Sequence, residues 1–252
     1  MRIRNVHSCL SAVPLACSLV ALLALGCATS CGYSYETGGG KPANAVGSSA
    51  SSNVLAPPAA VDAPDADAPV MVASGWWAKD SYVHYGVKVE NPNEDYVAHG
   101  IEVHVVLKDE SDQVAYESTD VIPEIGPGET IGFTGTSGDG WAPADVEITL
   151  VDGSATWSDG SGYIDPFTVE DVVERDMGEF RYELTGQVTN NTESYVSTVD
   201  LHALLIGEDG KIMAGYAAES YKLKPGQTKN FTHTINSAPD HASVEVYAQP
   251  RY

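Results

Sequence analysis

His104 and His202 are the first residues in this chain that could do chemistry, standing 98 positions apart in similar surroundings. A general base or a zinc site needs such imidazoles to converge with carboxylates or further histidines, and no His-Glu-x-x-His or comparable spacing occurs. Both therefore read as surface or packing residues. Two acidic runs are candidates for calcium: Asp109, Glu110 and Asp112 in one, and Asp152, Asp159 and Asp165 in the other. Calcium takes six to eight oxygens, and neither run follows the ligand order of an EF-hand loop. Gly207 and Gly210 replace Asp109 and Asp112 at the positions 98 residues on. Nucleophile elbows, phosphate loops and dinucleotide fingerprints are missing. The sequence therefore nominates no catalytic residue, no metal ligand and no cofactor site. Its remaining candidates are aromatic: Trp76, Trp77, Trp141 and Trp157, with Tyr163. They fill a core and a domain junction, or they form a platform for a sugar or peptide.

The elements that must position these residues are strands. Val83, Tyr85, Val87 and Val89 alternate with His84, Gly86 and Lys88; Ile101, Val103, Val105 and Leu107 alternate with Glu102 and His104. Later, Phe180, Tyr182 and Leu184, then Val199, Leu201, Ala203 and Leu205, repeat the pattern. A period of two belongs to half-buried strands. The weak helical signal over 170–176 reads better as an edge strand.

The halves also match each other. Val89-Glu90-Asn91 recurs as Val188-Thr189-Asn190, 99 positions on, and Tyr96-Val97 as Tyr195-Val196. From His104 onward the offset is 98: Pro127-Gly128 recurs as Pro225-Gly226, and Phe133 as Phe231. So steady an offset marks a tandem duplication of a unit of roughly 85–90 residues. Pro presets the first central position of a tight turn and Gly takes the left-handed second, after which alternation turns the Phe inward. Five to seven short antiparallel strands with such turns predict an immunoglobulin-like sandwich in each half. Domain 1 is expected over 75–160 and domain 2 over 163–252, each folding alone.

Gly186, Val188, Asn190, then Asp209-Gly210-Lys211, then Leu223, Pro225, Gly226, Thr228 and Phe231 resemble the FxLYD-type bacterial extracytoplasmic domain. In the first half Asn91, Ile125, Pro127, Gly128, Thr130 and Phe133 match in part. The resemblance implies a β-sandwich on a secreted or lipid-anchored protein, with no shared catalytic site.

Residues 1–26 begin with Arg2 and Arg4 and continue as an Ala-, Leu- and Val-rich run ending at Gly26-Cys27. That is the shape of an export signal. It resembles a bacterial lipoprotein signal, with Cys27 as the lipidated residue and Cys31 as the later alternative. All four cysteines lie in the first 31 residues, so no disulfide or thiolate site reaches the folded part. Residues 27–74 are rich in Gly, Ser, Ala and Pro without an apolar period, which predicts a disordered tether.

The chain holds 35 acidic against 13 Lys and Arg residues, a net charge of -22. That field repels phosphate backbones, excluding nucleic acid as a partner. The expectation is a non-enzymatic protein anchored outside the bacterial membrane that binds an envelope protein or glycan. Loops 91–100 and 190–198 are its candidate contact surfaces, and the matching Tyr96 and Tyr195 read as packing under these loops, with partner contact as the alternative. An accessory or weak metal-dependent cell-wall enzyme is the alternative.

Overall fold

The computed structural model describes residues 59–63, 65–79, 82–138 and 140–251. The signal segment, Cys27, Cys31 and most of the expected tether lie outside them. Seven strands build the first half: β1 (Val70–Lys79), β2 (Tyr82–Glu90), β3 (Tyr96–Lys108), β4 (Val114–Ile125), β5 (Thr130–Ser137), β6 (Asp145–Leu150) and β7 (Thr156–Asp159). Six build the second: β8 (Phe167–Gly178), β9 (Arg181–Asn190), β10 (Val196–Ile206), β11 (Ile212–Leu223), β12 (Thr228–Asn236) and β13 (Ser243–Pro250).

Each half is an antiparallel sandwich of the same topology. In the first, β1-β2-β5 faces β4-β3-β6, with β7 extending the β6 edge along β3. In the second, β8-β9-β12 faces β11-β10-β13. This is the immunoglobulin-like arrangement with the fourth strand moved to the second sheet. The segment 170–176 lies in β8, an edge strand.

Alternation fills the cores as expected. Val83, Tyr85, Val87 and Val89 meet Val103, Val105 and Leu107 inside the first sandwich. Leu184, Ala203, Leu205 and Ile235 do so in the second. Tyr85 is fully buried, and its hydroxyl donates to Asp120 Oδ2 at 2.5 Å, which satisfies the one polar atom it takes inside.

The repeated motif has a structural explanation. Gly128 (φ 66°) and Gly226 (φ 67°) occupy the left-handed position of a turn closed by Glu129 N–H to Gly126 O, 3.2 Å, and by Gln227 N–H to Lys224 O, 3.0 Å. The repeated asparagines hold these turns in place. Asn91 Nδ2 donates to the carbonyls of Tyr96, Ile125 and Gly126, at 2.7–3.1 Å. Asn190 Nδ2 donates likewise to Ser194 and Leu223. Both side chains are fully buried, so each amide supplies donors that no water could replace.

One expectation needs correction. The tether does not run to residue 74, because β1 begins at Val70. Upstream of it Val61 N–H donates to Trp157 O at 2.8 Å, and Asp67 N–H to Asn93 Oδ1 at 2.8 Å. Apolar Val70, Met71 and Val72 and these backbone bonds enlist the end of that segment into the first sandwich.

The halves also pack on one another. The outer face of β1-β2-β5 lies on the outer face of β11-β10-β13, burying Leu204, Ile206 and Ile212 beside Ala73 and Tyr247. Glycines permit the approach: a Cβ on Gly75 would lie 1.8 Å from Ile212 O, and one on Gly215 2.3 Å from Tyr85 O. His84 stacks on Tyr216 at 4.6 Å, and Lys88 pairs with Glu245 at 2.7 Å. All described residues belong to one compact unit.

Candidate functional site

The two histidines are not brought together. His104 stands half-exposed on the outer face of β3, with Nε2 3.6 Å from the Glu117 carboxylate. His202 holds the equivalent place on β10 but is sealed between the sandwiches. Thr134 N–H donates to its Nδ1 at 3.2 Å, and the Phe133 ring lies 4.6 Å away. Burial holds the imidazole down at about 4, so it is neutral at pH 7 and fills an interface.

The acidic turns spend their oxygens locally. Asp109 Oδ1 accepts from Ser111 N–H and Gln113 N–H, at 2.7 and 3.0 Å. Asp112 lies 3.6 Å from Lys108 Nζ. Asp159 accepts from Ser161 N–H at 2.8 Å, and Asp165 from Phe167 N–H at 3.0 Å. Glu110 and Asp152 point to solvent. Among the described residues no group of three His, Cys, Asp or Glu converges as a metal site.

The aromatic residues divide. Trp76 packs on the first core, Trp77 reaches Tyr216 and its neighbours in the second sandwich, and Trp157 meets Tyr96 edge-on at 6.4 Å. Tyr195 is partly exposed. Trp141 alone among the four tryptophans stands out, 74% exposed. It lines a groove of about 360 Å³ together with the apolar Leu107, Ala115, Tyr116 and Pro143 and the charged Lys108 and Asp109. Ala144 N–H donates to Lys108 O at 2.8 Å and ties the Trp141 loop to the end of β3. Lys108 is held by Glu147 at 3.2 Å, and these carboxylates push its ammonium pKa up. An exposed indole beside apolar side chains and a fixed charge can stack on a flat ring while the charged group hydrogen-bonds its edge. The sequence signal is a break in the repeat, since Pro239 stands 98 positions after Trp141.

A second cleft, of about 220 Å³, holds residues that sequence reading missed. Its wall carries His99 from β3, Glu124 from β4 and Ser158 from β7, with Asp159, Ser161 and Tyr163 at the mouth. His99 Nε2 lies 2.8 Å from Ser158 Oγ, and Nδ1 lies 3.8 Å from Glu124 Oε2. All three residues are more than nine-tenths buried, and His99 Nδ1 makes no hydrogen bond. Burial holds the imidazole below its ordinary value. Strand pairing creates the cluster: on one side of β3 His99 sits opposite Glu124, and on the other it pairs with Thr156, which leaves Ser158, opposite Val97, diagonal to it. Residues 25 and 59 positions away leave no local motif. Only the broken repeat hints at them: Lys222 stands where the second half would repeat Glu124.

No family model matches the chain, and no curated protein matches it in sequence. Among solved structures, the N-terminal CBM22-1-CBM22-2 tandem domain of Paenibacillus barcinonensis Xyn10C aligns with 77% of this chain and 92% of its own. The identity is 10% and the TM-score 0.14. At that score the backbones do not superpose, and the assignment of two sandwiches rests on the strand pairing itself.

Proposed function

We propose that this chain is a bacterial envelope protein, lipid-anchored through Cys27, that binds a neutral glycan in the Trp141 groove. The single observation that carries the binding role is Trp141, a large apolar side chain held 74% exposed in a largely apolar groove. An indole offers a flat face at little conformational cost, and sugar rings present an apolar face to match it. The net charge of -22 favours an uncharged polymer over an acidic one. The FxLYD-like motifs and the Gly26-Cys27 junction support an extracytoplasmic, membrane-held place for it.

The test is a glycan array and titration with the protein, read by indole fluorescence. Trp141→Ala should abolish binding while leaving the melting curve unchanged, and Tyr116→Ala should weaken it. Equal binding by wild type and Trp141→Ala would remove the groove from consideration, and binding to peptides alone would replace the glycan. For the anchor, Cys27→Ala should release the chain from membranes. Retention with unchanged mass would point to Cys31.

A further inference from the structure

We propose that Ser158, His99 and Glu124 form a nucleophile, a general base and an orienting carboxylate that hydrolyse small esters of uncharged alcohols. Three separate strands deliver these groups to one cleft. The 2.8 Å contact between His99 Nε2 and Ser158 Oγ is the distance over which an imidazole takes a hydroxyl proton. That role requires the other ring proton on Nδ1, which faces Glu124 Oε2 at 3.8 Å. The buried Nδ1 makes no hydrogen bond and faces the Glu124 carboxylate, the arrangement that an orienting carboxylate needs. Catalytic hydrogen bonds often tighten only once substrate is bound. Burial keeps His99 neutral at pH 7, the form a base needs. Triads are recognised by such geometry rather than by chain order.

The cleft also limits the substrate. About 220 Å³ admits a short acyl group, and Glu124 and Asp159 repel an anionic one. Ser158 Oγ bonds to the ester carbonyl carbon as its proton passes to His99 Nε2. The bond to the alcohol oxygen then breaks as His99 returns the proton to it. Water adds to the acyl-Ser158, His99 takes and returns one proton, and the acid leaves with Oγ–H restored. Glu124 touches no reacting atom and is a positioning residue.

The experiment treats the full-length protein in detergent with a fluorophosphonate probe and, separately, with p-nitrophenyl acetate. One adduct should map to Ser158 and vanish in Ser158→Ala. His99→Gln should slow adduct formation and ester hydrolysis by about 100-fold or more. Ser111→Ala, which removes an exposed hydroxyl outside the cleft, should label at the wild-type rate. Glu124→Gln should slow turnover and move the acid limb of the pH profile downward, because the imidazolium loses its carboxylate; a merely structural role would not move that limb. No adduct at Ser158 in protein with a native melting curve overturns the proposal. So does labelling that is equally fast in His99→Gln, or hydrolysis unchanged in Ser158→Ala.

Discussion

The outer face of the β3 sheet and the outer face of the β10 sheet hold the same place in their sandwiches and meet opposite surroundings. On the first, His104, Val106 and Lys108 alternate along β3, flanked by Glu117 and Thr149. On the second, the matching positions are His202, Leu204 and Ile206, flanked by Gly215 and Tyr247. The first face meets water. The second is covered by the other sandwich, where Leu204 is fully buried. Duplication kept the inner faces alike because both must fill a core. The outer faces were free to differ, and Lys108 and Glu117 on the solvated sheet stand where the interface has Ile206 and Gly215.

Cutting the chain between the halves tests this contrast most severely. Residues 163–252 alone would expose Leu204, Ile206 and Ile212, each worth about 1.5–3 kcal/mol when buried. That fragment should self-associate on a sizing column and become soluble when residues 59–160 are added. A monomeric second half with a cooperative melt would show that the interface is dispensable.

A charge on each face sharpens the contrast. Leu204→Asp should cost about 4 kcal/mol or more in denaturant unfolding, because a carboxylate is buried without a partner. Val106→Asp, at the matching half-exposed place, should cost no more than about 1 kcal/mol. Equal losses would mean that the two faces are equally covered.

Acid should open the same interface. His202 is held down at about 4, against 6.5 when unfolded. The unfolded chain therefore binds the proton more readily between those values, and stability falls as pH drops from 6.5 towards 4. The stability contributed by the neutral ring is complete above 6.5 and is lost by pH 4, a change of about 3 kcal/mol. His84, His99 and His233 are lowered in the same direction and add to the slope. His202→Gln should flatten it. An unchanged slope in that variant would show that the ring is solvated.

The smallest effect concerns the opposing sheets. Gly132 presses on Tyr247, where a Cβ would lie 2.4 Å from the ring, while the matching Asn230 is exposed. Gly132→Asn should cost about 1–3 kcal/mol through overpacking. Asn230→Gly should cost about 0.5–1 kcal/mol, the backbone-entropy penalty of an exposed strand glycine.

The duplication, the strands, the Pro-Gly turns and the inward Phe133 and Phe231 were legible in the sequence. Each depends on neighbours within a few residues: a period of two, a left-handed glycine, a proline with preset φ. Asn91 and Asn190 were visible as a motif, but their reason was not, since the carbonyls they bind come from a strand and a turn more than 30 residues away. The fate of His104 and His202 could not be read locally at all. Both alternate with core residues in the same way, and only the second sandwich face lies beneath another sheet. The cleft of His99, Glu124 and Ser158 is the extreme case. Strand pairing sets those three side by side, and pairing is decided by which apolar faces close on one another, a choice that no stretch of sequence contains by itself.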